Sequence, residues 1–99
     1  MGRYVLGERA QTDTLDIYDY IRQRSSSAAK LVRSELRSAM KKLADFPGMG
    51  HRRDDVDDQT LRFWSVYSYL IVYRADTKPL QIVRVIHGAR DVPRVLGRR

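Results

Sequence analysis

Ile82-Val83-Arg84-Val85-Ile86-His87-Gly88-Ala89-Arg90-Asp91 decides the fold, because a run that is mostly apolar ends there in a cluster of polar and basic groups. A strand has a fixed direction, so His87 and Arg90 are expected at a defined edge of a sheet. Upstream, Tyr69-Leu70-Ile71-Val72-Tyr73-Arg74 is a second strand, apolar on both faces, and the polar turn Asp76-Thr77-Lys78-Pro79 joins the two into a hairpin. Before it, Thr60-Leu61-Arg62-Phe63-Trp64-Ser65-Val66 alternates as a further strand. Leu61, Phe63 and Ser65 fall on one face, and Arg62, Trp64 and Val66 on the other.

The N-terminal half has a different period. From Glu8 to Arg24, Ala10, Thr14, Ile17 and Ile21 recur at helical spacing with Leu15 and Tyr18 flanking them, and Asp13, Asp16 and Asp19 are assigned to an acidic outer face. Ser25-Ser26-Ser27 interrupts the pattern and offers hydroxyls to cap a second helix. Along that helix Ala28, Val32, Leu36, Ala39 and Leu43 form the apolar seam, extended by Met40 and Phe46, until Pro47-Gly48-Met49-Gly50 ends it. So short a junction makes the helices antiparallel neighbours. Lys30, Arg33, Arg37 and Lys41 form a basic stripe on the second helix. Its plainest explanation is solvated charge that pairs weakly with the three aspartates of the first.

Met1-Gly2-Arg3-Tyr4-Val5-Leu6-Gly7 predicts a short first strand and is too brief for a secretory signal. The expected fold is therefore α+β: an N-terminal strand, an antiparallel helical hairpin packed on a small, mainly antiparallel sheet (β-α-α-β-β-β), and a short basic C-terminal tail. One face of the sheet is expected to stay partly open, which would accommodate the in-strand arginines Arg62 and Arg84. A length of 99 residues suits one domain spanning 1–99. Nineteen Lys and Arg against 12 Asp and Glu leave a formal charge of +7, which favours an anionic partner. No apolar run approaches the ~20 residues of a membrane span. Without cysteine there is neither a disulfide frame nor a thiolate metal site, in keeping with a reducing cytoplasm.

No phosphate loop, dinucleotide fingerprint or zinc pattern is present, and His51 and His87 lie far apart in sequence. Asp54-Asp55-Val56-Asp57-Asp58 lacks the glycine and closing glutamate of a calcium loop and follows His51-Arg52-Arg53, so it reads as a self-neutralising turn. Neither a metal nor a cofactor is expected. Arg62, Arg84, His87 and Arg90, with Tyr67, Tyr69 or Tyr73, could meet on a twisted sheet. Such a set could cut RNA without metal, with cations facing the phosphate and His87 as acid or base. Equally, His87-Gly88 could simply end a strand while Arg90 and Asp91 pair locally.

The helical hairpin, Leu43-Ala44-Asp45-Phe46-Pro47-Gly48-Met49-Gly50-His51-Arg52, Leu61-Arg62-Phe63, Tyr69 to Arg74 and Val85 to Asp91, in this order and spacing, resemble the ParE branch of the RelE/ParE toxin superfamily. The resemblance implies the toxin of a type II toxin-antitoxin module, of the kind tied to plasmid stabilisation. A cognate antitoxin with an acidic, amphipathic C-terminal segment would neutralise it, and operator DNA would be met only through that antitoxin. ParE-like proteins trap DNA gyrase on cleaved DNA and need no catalytic residue of their own. RelE-like proteins instead cut mRNA in the ribosome with a basic cluster, and the single lysine from Thr60 onward, Lys78, departs from that pattern. If this chain were a nuclease, Arg62, Arg84, His87 and Arg90 would carry the cut. A toxin-like binding module without toxicity is a further alternative. On the gyrase reading, Lys30, Arg33, Arg37 and Arg84 are expected to meet the antitoxin, and Arg90, Arg94, Arg98 and Arg99 the target.

Overall fold

The computed structural model describes residues 2–88 and 90–96. Strand β1 (Tyr4–Leu6) leads through Gly7 into helix α1 (Glu8–Arg22), and helix α2 (Ser26–Asp45) follows after a tight connection. A 3-10 turn (Pro47–Met49) and an irregular segment precede strands β2 (Leu61–Val66), β3 (Tyr69–Arg74) and β4 (Leu80–His87), and a short helix α3 (Val92–Val95) closes the described chain. The sheet order is β1-β4-β3-β2. β2, β3 and β4 form an antiparallel meander, and β1 lies parallel to β4 on its far side. The expected α+β order is thus the observed one.

Local chemistry explains the helix limits. The Ser25 hydroxyl accepts a hydrogen bond from the Ala28 amide at 3.2 Å, satisfying one orphan donor at the start of α2. α1 ends at Arg22, short of the expected Arg24, because the chain tightens there: the Arg24 and Ser25 amides both donate to the Ile21 carbonyl. At the end of α2, Pro47 sits at the first position of the 3-10 turn, where its missing N–H costs nothing.

Two apolar clusters sandwich the sheet. On the helical side Ala10, Leu36, Met40 and Leu43 pack on Ile71, Tyr73, Leu80, Ile82 and Val85. On the other side Leu61, Phe63, Leu70, Val72 and Ile86 are covered by Val56 of the irregular segment and Val92 of α3. That second face is therefore not open, contrary to expectation. Val92, Val95 and Leu96, within the expected basic tail, supply part of its cover. Arg98 and Arg99 of that tail lie outside the described residues.

A register shift between Val72 and Tyr73 places Arg84 opposite Val72 and Ile82 opposite Tyr73, leaving Val83 as the extra residue of a bulge. β1 pairs only as far as Ile82, so the outer edge of β4 beyond that point needs another partner. Asp13 supplies it: its carboxylate accepts the Val85 amide at 2.9 Å and the Arg84 Nε and Nη2 at 2.7 and 3.0 Å. Asp13 consequently leaves the acidic outer face on which the helical spacing had put it. Arg84, only 9% exposed, owes its place in the strand to this ion pair and not to an open face.

Candidate functional site

The helical hairpin does not close fully. Between α1 and α2 lies a groove of about 420 Å³, walled by Leu15, Ile17 and Tyr18 of α1 and by Val32, Leu36 and Met40 of α2, with Tyr4 and Leu6 of β1 also lining it. Leu15, on the groove wall, is 65% exposed, so part of the groove's apolar lining is open to solvent. Arg33 and Arg37, both exposed, line the same groove. The Arg33 guanidinium stands 5.3 Å from the Tyr18 ring centre, which holds a cation against the groove wall. Among the described residues neither these arginines nor Lys30 forms an ion pair with the aspartates of α1: Asp19 pairs with Arg22 and Asp13 with Arg84. Asp19 also lines the cleft but is paired with Arg22, so an apolar cleft whose unpaired charges are the arginines fits an amphipathic segment with acidic flanks.

Of the four cations expected to face an antitoxin, the fold brings Lys30, Arg33 and Arg37 together on α2. Arg84 stands apart. Its Nη1 donates to the Val95 carbonyl at 3.3 Å while its other nitrogens hold Asp13, so one side chain ties α1, β4 and α3 together. The Asp13 hydrogen bonds and charge outweigh the cost of burial and raise the Arg84 pKa further above its ordinary value.

Of the residues proposed for RNA cleavage, Arg62 and Arg84 are not brought together with His87 into one site. Arg62 pairs across the sheet with Tyr73, which faces the helices, whereas Arg84 pairs with Val72, which faces the other way. The two strand arginines therefore sit on opposite faces by register. Arg62 Nη1 donates to the Gly50 carbonyl at 3.0 Å, tying β2 to the segment after the 3-10 turn. His87 lies opposite Tyr69, four positions along β3 from Tyr73, so it is separated from Arg62 by roughly 15 Å of sheet. Its ring meets Tyr69 edge-on at 5.7 Å, and its carbonyl accepts the Arg90 amide at 3.0 Å.

Of the three tyrosines grouped with this set, Tyr73 belongs to the core. Its hydroxyl donates to the Pro47 carbonyl at 2.6 Å and accepts the Gly50 amide at 2.9 Å, and burial pushes the phenol's pKa up. A Cβ on Gly50 would collide with that hydroxyl, which requires glycine there. Arg90 and Arg94 are exposed near the C-terminal end. Among the described residues no group of three or more metal-ligating side chains clusters, and no helix is long and apolar enough to cross a membrane.

The groove was only partly visible in the sequence. Leu15 and Tyr18 flank the apolar stripe, which marks a helix with more apolar surface than one seam can bury. The Asp13–Arg84 pair left one signal, an arginine within an apolar strand, which must find a partner somewhere.

Comparison with known proteins agrees with this architecture. The family profile described as "ParE toxin of type II toxin-antitoxin system, parDE" matches residues 4–92. A solved structure described as "Chromosomal ParDE TA system from P. aeruginosa" is similar over 88% of this chain and 96% of that one, with a TM-score of 0.70 at 20% identity. At that identity the likeness concerns the fold alone. No curated protein matches.

Proposed function

The chain belongs to the ParE toxin family of type II toxin-antitoxin systems, and from that premise we propose that it blocks replication by engaging DNA gyrase and is held inactive by an antitoxin seated in the α1–α2 groove. The observation that carries the antitoxin half is the groove itself, apolar inside and bordered by Arg33 and Arg37. The antitoxin segment that fits is an amphipathic helix whose apolar side contacts Leu15, Val32 and Leu36 and whose carboxylates reach Lys30, Arg33 and Arg37. β1 is an edge strand of the sheet, so a continuation of the same segment can add beside it by main-chain hydrogen bonds. Arg84 drops out of this contact because Asp13 occupies it.

Arg33→Glu with Arg37→Glu is expected to slow antitoxin association, and the wild-type rate is expected to fall as salt rises. An association rate indifferent to both would remove the electrostatic part of the proposal.

Gyrase as target follows from the family resemblance, and the dispersal of Arg62, Arg84 and His87 over the sheet supports it over mRNA cleavage. Arg90 and Arg94, with Arg98 and Arg99 beyond the described residues, remain the proposed target contacts. The test pairs two assays on purified protein: gyrase supercoiling and ribosome-dependent mRNA cleavage. Inhibited supercoiling with accumulation of cleaved DNA and intact message is expected, and His87→Gln should change little. Ribosome-dependent cuts that vanish in His87→Gln, with gyrase unaffected, would assign the chain to the nuclease mechanism instead.

A further inference from the structure

The connection between β2 and β3 is two residues long, Tyr67-Ser68. Tyr67 has a φ of 54°, and among the described residues no other non-glycine has a positive φ. Tight hairpin turns of this kind favour glycine, asparagine or aspartate at such a position, because a larger side chain crowds the backbone. A bulky aromatic is an outlier there. The fold does not offset this by burial, since Tyr67 is 60% exposed. Strain at a mostly exposed side chain points to what that side chain meets outside the molecule.

Its surroundings narrow the partner. The Gly88 amide donates to the Ser68 carbonyl at 2.8 Å, which fastens the hairpin tip to the end of β4. His87 stands beside Tyr69 there, and Arg90 follows three residues later. The tip thus carries an exposed tyrosine on a turn fastened to the strand end that bears His87 and leads to Arg90, and it shares no residue with the α1–α2 groove.

We propose that Tyr67, on a hairpin tip fastened to the strand end that carries His87 and leads to Arg90, is the anchor through which the chain grips its cellular target, a protein face offering an apolar pocket rimmed by carboxylates. Tyrosine supplies a large contact area with few rotatable bonds, and tyrosine and arginine are both enriched in interface hot spots. A single-stranded nucleic acid would call for successive stacking faces along a basic groove, whereas Tyr69 is engaged edge-on by His87 and one ring is left to project. The inference rests on the toxin reading, but not on gyrase being the target.

Tyr67→Gly and Tyr67→Asn test it, since both relieve the backbone while removing the ring. Both variants should melt no lower than wild type and bind an antitoxin-derived acidic peptide as wild type does. Induced in cells lacking antitoxin, wild type should arrest growth and both variants should permit colonies. The concentration that half-inhibits supercoiling should rise about thirtyfold or more, the loss expected of a hot spot. Growth arrest by wild type without effect on supercoiling would discard gyrase and leave the anchor to be judged on growth. Variants as toxic as wild type, or a wild type that arrests nothing, would overturn the proposal. Tight binding of a labelled single-stranded oligonucleotide, lost in both variants, would overturn the assignment to a protein partner.

Discussion

Replacing Asp13 with alanine should be among the most damaging single changes outside the apolar core. The substitution removes three hydrogen bonds at once, those from Arg84 Nε, Arg84 Nη2 and the Val85 amide. It also strands a guanidinium whose side chain is 11% exposed. Breaking a buried pair from one side costs about 3–5 kcal/mol, because the remaining charge keeps its desolvation penalty and loses its compensation. A chain of this length is stabilised by about 5–15 kcal/mol in total. At 4–8 °C per kcal/mol for a domain of this size, Tm should fall by at least about 12 °C.

Urea unfolding followed by the fluorescence of Trp64, half-buried against the helical-side cluster, reads the loss directly. The Arg84 pKa is raised in the fold, so its contribution is fully present below the guanidinium's ordinary pKa and would be lost only as pH climbed through the raised value. The deficit of Asp13→Ala should therefore not vary between neutral pH and pH ~10 on account of Arg84. Asp13→Leu combined with Arg84→Met leaves no charge stranded and should recover much of the loss, apart from about 1–3 kcal/mol for the unpaired Val85 amide. A single-mutant cost under ~1 kcal/mol, or a double mutant no better than Asp13→Ala, would refute the assignment of this pair as the tie between α1 and β4.

Tyr73→Phe removes the hydroxyl shared by Gly50 and Pro47 and should cost about 1–3 kcal/mol in urea. Because burial raises the Tyr73 pKa, its share of stability is complete below pH ~10 and is lost as pH rises through the raised value, so the variant should show a flatter alkaline limb. Asp58 behaves oppositely: hydrogen bonds from Thr60, with help from Arg74, lower its pKa. Its contribution is present above about pH 4 and is lost as pH falls through the lowered value, so Asp58→Asn should blunt the acid limb. Both partners of the Asp58–Arg74 pair are more than a third exposed, which keeps that effect well under ~1 kcal/mol. Leu36→Ala and Ile71→Ala, on either side of the main core, should each cost about 2–5 kcal/mol, and an unchanged urea midpoint for either would contradict the observed packing.

By itself the sequence determined most elements whose cause is local, though not α3, whose Asp91 cap and first-turn proline lie in the stretch read as tail. The period of four and three from Ala10 to Leu43, the cap at Ser25, the stop at Pro47 and the alternation in Leu61 to Val66 each act over a few residues, so helix and strand limits were legible to within about a turn. The meander also follows from short connections, and the family resemblance carried the order of the whole. Tertiary structure alone decided what depends on residues far apart in the chain. Asp13 sits on a helical face that reads as solvent-exposed, and only the end of the β1–β4 pairing at Leu6 and Ile82, beyond which the Val85 amide has no strand partner, gives its carboxylate a place beside Arg84, 71 residues away. The bulge at Val83 exchanges the faces of β4 midway, so period-two counting could not have told that Arg62 and Arg84 oppose each other. The second face of the sheet likewise became a core only when Val56 and Val92, from two segments read as loop and tail, were brought over it. Pairing, facing and covering are decided by which surfaces meet, and no local pattern of residues encodes that meeting.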